Sequence, residues 1–333
     1  MSAAAPSIRF CIVTPCLNYA GLLDRTLLSV LTQAGDFSLH YHVQDGGSTD
    51  GTLERLAFWQ AAVADGRLPA GCRDLRLTVA SAPDRGIYDA LNRGFAALAD
   101  GGRPGDVMTW INASDLFHPG ALETVARFLR AHPGERWVCG RRANIDEADF
   151  PFFIEEEMYG YPRRTLAAGL HVGRSFQWIQ PEGMMWRRSL WDDAGGRLDD
   201  TFRLAADFDL WRRFAAHAGP VVLDRVTGVY RFHAGRLSAD IARYYAEVDA
   251  CLARLGLTGE GRAVEAEFAR LAAAGDPAAL HRHGFTARVA RFANGDPEGG
   301  WTMTHALPDL APGWPDPAPG WGMDAGVAAA PRS

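Results

Sequence analysis

Acidic side chains end three successive apolar segments of this 333-residue chain. Asp45 follows "LHYHVQ", Asp84 follows "LRLTVASAP" and Asp115 follows "DVMTWINAS", while a fourth acid, Asp207, lies further on in "RLAADFDLWRRF". Loops after the carboxyl ends of parallel strands form the ligand crevice of open α/β sheets. The spacing therefore predicts a site for a nucleotide, a divalent metal ion, or both.

Apolar runs alternate with segments of helical periodicity through the first part of the chain. The predicted strands span residues 8–14, 38–44, 75–80 and 107–111, with Pro15 ending the first, and the predicted helices span residues 21–34, 53–63, 87–99 and 119–131. This order is typical of an α/β fold with a mostly parallel central sheet flanked by helices.

The pattern becomes less regular after residue 138. Residues 146–182 mix acids, aromatics and prolines and predict an irregular connection around an acceptor cleft. The remaining predictions are a helix over 206–217, a short strand in "PVVLDRVTGVYRFH" and helices over 239–272. From about Asn294 the chain is rich in Gly, Pro and Trp, a composition that predicts an extended or disordered tail.

Charge and composition exclude several classes of function. The net charge is −6 without a long basic run, which excludes bulk nucleic-acid binding. Every basic residue is arginine, so no lysine is present to form a Schiff base or bind phosphate. Five scattered cysteines without a CxxC pair predict a reducing compartment, with neither disulfides nor a zinc site. The absence of a signal peptide and of a long apolar span predicts a cytoplasmic protein, with peripheral membrane association left open.

Two acidic motifs each have a structural and a functional interpretation. "DGGSTDGT" lacks the lysine of a phosphate loop, and no GxGxxG opens a helix. Asp45 would either accept hydrogen bonds from a base or ribose, or bond local amides in a capped turn. Asp115 would either bind a divalent cation or cap the next helix. Both alternatives remain open at this level.

Three further motifs carry charged side chains with alternative roles. Arg85 would pair with a diphosphate or form a surface ion pair with Asp84 or Asp89. His233 would be a metal or phosphate ligand or an ordinary surface histidine. Asp207 and Asp209 lie two residues apart on a predicted helix, so at most one of them faces a given site. One of the two acids would then act as a general base, and the other would place a negative charge at the N-terminus of the helix.

Taken together, these motifs resemble family 2 glycosyltransferases, which have the GT-A fold. The resemblance spans about residues 8–240 and includes "IVTPCLN", "QDGGSTDGTLE", "SAPDRGIYDALNRGF", "WINASDLFHPGAL", "QPEGMMWRRSLW", "RLAADFDLWRRFA" and "YRFHAGRLS". It implies a GT-A domain over residues 1–240, followed by a helical extension over 241–293 and the tail over 294–333. It also implies transfer of a sugar from a UDP, dTDP or GDP donor to an acceptor hydroxyl, with inversion and with Mn²⁺ or Mg²⁺.

The resemblance also assigns roles by position. Asp207 matches the general base. The donor side comprises Thr14, Pro15, Asn18, Asp45, Asp84, Arg85 and Asn112, the acceptor side Gln180, Glu182 and Trp211, and the metal ligands Asp115 and His233. The expected acceptor is a glycan, a lipid-linked molecule or another hydroxyl compound in bacterial surface polysaccharide or glycolipid assembly. The inner face of the membrane is an alternative location.

Two departures from the family pattern motivate a different hypothesis. Ser114 precedes Asp115 and Ala206 precedes Asp207, where the family often has acids. The alternative is a catalytically weak nucleotide-sugar-binding protein that acts with partner transferases. A nucleotidyltransferase is less consistent with the sequence, because "TPCLNYAG" lacks the Gly-rich loop with Arg or Lys expected after its first strand.

Overall fold

Nine strands form the main sheet in the computed structural model of the chain, which describes residues 8–68, 70–99, 101–295 and 300–308. Numbered in chain order, the strands of both sheets are β1 (Ile8–Cys16), β2 (Phe37–Asp45), β3 (Asp74–Ser81), β4 (Val107–Trp110), β5 (Leu116–Phe117), β6 (Trp137–Arg141), β7 (Ala143–Ile145), β8 (Pro151–Ile154), β9 (Met185–Arg187), β10 (Val221–Val226), β11 (Gly228–Arg231), β12 (Ala287–Phe292) and β13 (Trp301–Ala306).

Helices connect most of these strands. They are α1 (Leu23–Leu31), α2 (Thr52–Ala64), α3 (Ile87–Ala97), α4 (Ala121–Ala131), α5 (Arg163–Ala167), α6 (Arg188–Asp193), α7 (Ala206–His217), α8 (Ile241–Arg254), α9 (Thr258–Ala273) and α10 (Pro277–Arg282). None of the helices that the structure describes combines the length and the apolar composition needed to cross a bilayer.

The main sheet is mostly parallel, in the order β13-β12-β10-β6-β9-β4-β1-β2-β3. Strands β1 to β4 pair in parallel as neighbours, whereas β9 is inserted antiparallel between β4 and β6. Strands β1 and β2 are largely buried because helices cover the sheet, which explains the mainly apolar sequence of β1. The predicted α/β class and the eight elements predicted in the first 131 residues are therefore confirmed.

A small second sheet lies in the order β5-β11-β7-β8. The single strand predicted in "PVVLDRVTGVYRFH" is consequently two strands, because β10 belongs to the main sheet and β11 to the small one. The small sheet places the chain after β4 next to β11, since β5 pairs antiparallel with β11. This pairing carries Asp115 towards the end of β11.

Buried aromatic side chains fill the core beneath the predicted acceptor region. The Trp110 and Trp211 rings stack with centroids 5.4 Å apart and planes inclined by 5°, and Trp137 stacks on Trp211 at 5.6 Å. Such packing combines a large buried apolar area with favourable ring geometry. The cluster fixes α7 against the sheet, and with it the position of Asp207.

Several sequence predictions are corrected by the structure. Pro15 lies inside β1 instead of ending it, because the strand continues to Cys16 in parallel register with β2. The segment 146–182 is less irregular than predicted, since it contains β8 and α5. The tail predicted from Asn294 includes an ordered strand, β13, which pairs along its whole length with β12, while residues 309–333 lie outside the described part. The domain division at residues 240 and 293 stays a prediction, although β12 joins the sheet formed by the N-terminal strands.

Candidate active site

The predicted donor-side residues lie at the carboxyl ends of β1, β2 and β3. In the parallel register, Cys16 of β1 is opposite Asp45 of β2, and Asp45 is opposite Ser81 of β3. The loops that follow the three strands therefore begin at one edge of the sheet, as the switch-point rule for open α/β sheets requires.

Asp45 organises the loop that follows β2. Its Oδ2 accepts hydrogen bonds from the backbone N–H of Gly47 at 2.9 Å, the N–H of Ser48 at 3.0 Å and the Ser81 hydroxyl at 2.6 Å. Burial by itself would raise the pKa of Asp45, but the hydrogen bonds from Ser48, Ser81 and the loop amides bring it below its ordinary value. Asp45 thus forms the capped turn described above, and its contact with a base or ribose stays a prediction.

Asp84 packs directly against the Asp45 loop. Its Oδ1 accepts the N–H of Gly86 at 2.8 Å. A Cβ placed on Gly46 would lie only 2.7 Å from Asp84 Oδ2, so a side chain at residue 46 would displace the Asp84 carboxylate from its present position. The loops after β2 and β3 therefore form one continuous wall.

Asn18 adds the loop after β1 to this wall. Its backbone adopts φ 59°, and its Oδ1 accepts the N–H of Thr49 at 2.8 Å. Thr14 and Pro15 are buried beneath it, and the Thr14 hydroxyl is already used, because it donates to the Ile111 carbonyl at 2.8 Å. Thr14 and Pro15 therefore pack beneath the loops that form this wall. Their direct contact with a nucleotide stays a prediction.

Arg85 forms ion pairs on the surface. Its guanidinium contacts Asp200 and lies 3.1 Å from Asp89 Oδ1, and its side chain is 72% exposed. These contacts match the second of the two roles considered for Arg85 from the sequence. A contact with a diphosphate would require the side chain to exchange these partners, and it stays a prediction.

Asp115 and Glu182 form a buried pair of carboxyl groups. The Asn112 Nδ2 donates both to Asp115 Oδ2 at 3.0 Å and to Glu182 Oε1 at 2.8 Å, and the backbone N–H of Arg231 donates to Asp115 Oδ1 at 2.8 Å. Burial raises the pKa of Asp115, and burial together with the charge of Asp115 raises the pKa of Glu182 well above its usual range.

The antiparallel register of β4 and β9 explains this pairing. Met108 is opposite Trp186, so the chain that leaves β4 runs beside the chain that enters β9. Continued by four residues, the same register brings Asn112 opposite Glu182. Gly228 completes the arrangement, since a Cβ there would collide with the backbone of Glu182. Glu182 was predicted on the acceptor side, but its hydrogen bond is to Asn112 on the donor side.

His233 lies close enough to Asp115 for its charge to lower the pKa of that carboxyl, although burial is the larger influence and raises it. The half-buried His233 ring meets the Tyr19 ring edge to face, with centroids 5.9 Å apart. Within the described residues, no three His, Cys, Asp or Glu side chains converge as a complete metal site. The donor set still fits Mg²⁺ or Mn²⁺, which typically take one or two protein carboxylates and complete their shell with substrate phosphates and water.

Asp207 stands in the first turn of α7. Its Oδ1 accepts the N–H of Phe208 at 2.8 Å and the hydroxyl of Tyr88 at 3.4 Å, while its Oδ2 accepts no hydrogen bond from a described residue. Burial raises the pKa of Asp207 to about 6. The side chain lines a cavity together with Leu166, Gly169, His171, Ile179, Phe208, Trp211, Arg212 and Tyr244. A half-buried carboxylate with one available oxygen and such a pKa is suited to remove a proton near neutral pH.

Asp209 points away from this cavity. It is buried and binds Arg213 Nε at 2.8 Å and Arg212 at 3.4 Å. Of the two acids in "DFD", Asp207 therefore faces the cavity, whereas Asp209 forms ion pairs with arginines of the same helix. Sequence spacing showed that only one could face the site, but not which one.

The other two acceptor-side predictions have different surroundings. Trp211 lines the Asp207 cavity but belongs mainly to the buried aromatic cluster. Gln180 is half-buried, and its Nε2 lies 3.4 Å from the carbonyls of Ala143 and Gly228. Their contact with an acceptor stays a prediction.

Three residues at the site were not found from the sequence. Tyr88 contacts Asp207, and Tyr244 of α8 lines the same cavity. The buried Arg231 donates from Nε to the Ser114 carbonyl at 2.7 Å and so holds the Asp115 loop. Tyr88 alone had a local signal, since it follows Asp84 by four residues, whereas Tyr244 and Arg231 depend on contacts distant in sequence.

Residues 11–190 match the sequence profile described as Glycosyl transferase family 2, which is more than half of the 333 residues. The chain belongs to glycosyltransferase family 2. This membership confirms the resemblance inferred from the motifs.

Similar proteins support this assignment. A "PGL/p-HBAD biosynthesis glycosyltransferase" of Mycobacterium tuberculosis H37Ra is 35% identical over 139 residues, which cover 41% of this chain and 47% of the relative. An uncharacterized glycosyltransferase of M. tuberculosis H37Rv is 26% identical over 227 residues, or 66% of this chain and 73% of the relative. The chain thus spans about half the length of the first of these relatives.

The fold is shared with a solved structure. The crystal structure of S. aureus TarS 1-349 in complex with UDP superimposes with a TM-score of 0.50 at 15% identity, covering 73% of this chain and 63% of that one. At this identity the likeness concerns the fold alone. It agrees with the GT-A architecture that the family resemblance implies.

Proposed function

We propose that this glycosyltransferase moves a sugar from a nucleotide diphosphate donor to an acceptor hydroxyl, with inversion at the anomeric carbon. Asp207 carries the proposal. Its free Oδ2 takes the acceptor proton, the acceptor oxygen forms the bond to the anomeric carbon, and the bond to the diphosphate breaks with its electron pair. A carboxylate whose pKa is about 6 is ionised at pH 7 and still basic enough to accept the proton.

The donor nucleotide would occupy the wall formed by the loops after β1, β2 and β3. Asp45, Asp84 and Asn18 hold these loops together, which keeps the pocket in shape before the nucleotide binds. UDP is the first donor nucleotide to test, because a protein of the same fold has been crystallised with UDP, and dTDP and GDP are the alternatives.

A divalent cation fits the other side of the site. Asp115 and His233 would hold Mn²⁺ or Mg²⁺, which would neutralise the charge that grows on the departing diphosphate. The chain's own contribution is to keep Asp115 oriented through the Arg231 N–H and the Asn112 amide.

The biological setting is proposed from the relatives. A role in assembling bacterial glycolipids or surface polysaccharides would parallel that of the mycobacterial relative, a PGL/p-HBAD biosynthesis glycosyltransferase. We infer a cytoplasmic enzyme that acts on a glycan or lipid-linked acceptor, at the inner face of the membrane when the acceptor is lipid-linked.

Substitution Asp207→Asn tests the proposal. The rate of sugar transfer should fall at least ~100-fold, the usual size of a lost general base, while UDP binding measured by calorimetry stays unchanged. Asp192→Asn, which removes an exposed acid from α6, is the matched control and should transfer at the wild-type rate. Turnover of Asp207→Asn at the control's rate would refute the assignment of the base.

The weak-binding alternative predicts a different outcome for the wild-type chain. It would bind UDP and show neither transfer nor donor hydrolysis with any of several nucleotide sugars. A screen of nucleotide sugars for thermal stabilisation with Mn²⁺ present selects the donor for both assays, because a ligand that binds the folded state raises the melting temperature.

A further inference from the structure

We propose that Glu182 is a second carboxylate ligand of the divalent cation and supplies the acid that Ser114 does not. The inference rests on the proposed function, since it concerns the cation that accompanies the nucleotide donor. It moves Glu182 from the acceptor side, where the family resemblance placed it, to the metal.

The first argument is the position of Glu182. A single amide nitrogen, Asn112 Nδ2, donates to both Glu182 Oε1 at 2.8 Å and Asp115 Oδ2 at 3.0 Å. Both carboxyl groups therefore lie within hydrogen-bonding reach of one atom. This proximity follows from the β4–β9 register and does not depend on a flexible side chain.

The second argument is charge. In the described part of the chain, neither Asp115 nor Glu182 forms an ion pair with an arginine. The guanidinium of Arg231, whose backbone N–H donates to Asp115, instead contacts the carbonyls of Ser114 and Asp146 and the carboxylate of Asp149. Two buried acids without a contacting cationic side chain are costly unless a cation accompanies them.

The third argument is a pair of unused oxygens. Glu182 Oε2 and Asn112 Oδ1 are both buried and accept no hydrogen bond from a described residue, and Glu182 as a whole is 5% exposed. A buried acceptor without a partner costs about 1–3 kcal/mol, so such oxygens persist where something else binds them. Carboxylate and amide oxygens are the ligands that Mg²⁺ and Mn²⁺ prefer.

The described residues hold no group of three His, Cys, Asp or Glu side chains arranged for a metal, so Asp115, Glu182 and His233 do not form a complete set of ligands by themselves. Two carboxylates are a usual protein contribution when the diphosphate of the substrate completes the shell. Glu182 would thus restore two acids to a motif that has only Asp115 in sequence.

Substitution Glu182→Gln tests the inference without changing the shape of the side chain. Its amide oxygen can still accept from Asn112, and its amide nitrogen can donate to Asp115, so the fold should be retained. We expect Mn²⁺ affinity, measured by the loss of the free-ion signal in electron paramagnetic resonance with UDP present, to fall at least about tenfold. Asp115→Asn should show a comparable loss, and Glu156→Gln, which removes an exposed acid, should show none.

The outcomes separate the two proposals. Unchanged Mn²⁺ affinity in Glu182→Gln beside a weakened Asp115→Asn would overturn the role of Glu182 and leave the transferase proposal standing. If the wild-type chain with UDP bound no Mn²⁺, the metal-dependent part of the proposed function would itself be wrong. A circular dichroism melting curve for Glu182→Gln that matches wild type shows that reduced affinity does not come from unfolding.

Discussion

The hydroxyl of Tyr88 should set the pH at which the enzyme becomes active. Activity requires Asp207 to be ionised, and burial raises its pKa to about 6, so the rate should rise with pH through an acid limb near that value. Tyr88 donates to Asp207 Oδ1 at 3.4 Å and stabilises the ionised form. Substitution Tyr88→Phe removes this donor and should move the limb to higher pH.

The size of the shift follows from the hydrogen bond. A bond to a charged acceptor contributes about 1.5–3 kcal/mol at good geometry, and this long one should contribute about 1 kcal/mol or slightly more. Since 1.36 kcal/mol corresponds to one pKa unit, the limb should move up by roughly 0.7 to 1 unit. At pH 6 this lowers the ionised fraction about fivefold, whereas above pH 8 both enzymes have the same fraction ionised.

The assay is kcat/KM for sugar transfer between pH 5 and 9, measured for wild type, Tyr88→Phe and the exposed control Asp192→Asn. The expected result is a displaced limb with a nearly unchanged plateau in Tyr88→Phe alone. A plateau that falls without a displaced limb would show that Tyr88 supports the cavity instead of the charge on Asp207. An identical limb in all three enzymes would show that another group titrates.

Three other substitutions test the remaining parts of the site. Asp207→Asn should raise the free energy of unfolding at pH 8, measured in urea, by up to about 3 kcal/mol. Burial raises the pKa of Asp207 in the folded state to about 6, so its contribution to stability is full below the pKa of the unfolded state and is lost as the pH rises through about 6. No gain at pH 8 would contradict the cost of burying this charge. Gly46→Ala should weaken UDP binding in calorimetry at least about tenfold, since its Cβ would lie 2.7 Å from Asp84 Oδ2, and unchanged binding would separate these loops from the donor. Arg231→Met should lower the free energy of unfolding by about 1–3 kcal/mol, because it leaves the buried Ser114 carbonyl without its donor, while Asp149 keeps its ion pair with Arg25. An unchanged free energy of unfolding would show that Arg231 does not hold the Asp115 loop.

Local sequence signals were sufficient for the first half of the fold. The alternation of apolar strands and amphipathic helices predicted β1 to β4 and α1 to α4. Each of these elements could be recognised although its predicted first and last residues differ slightly from those in the structure. The same signals missed β9 and β13 and did not separate β11 from β10. These strands are short or lie in polar, Gly-rich sequence, and they form because a neighbouring strand pairs with them.

The candidate site shows the same limit at the level of side chains. Asp45 and Asp84 could be placed from the sequence because Asp45 directly follows a predicted strand and Asp84 lies in the loop after the next one. Glu182 could not be placed, because its contact with Asn112 spans 70 residues and depends on the antiparallel insertion of β9. The departure at Ser114 therefore looked like a missing ligand when only neighbouring positions were compared. In the folded chain a carboxyl group stands next to Asp115 after all, supplied by a segment that the sequence places far away, so the number of acids in a motif is a poor measure of the acids at a site.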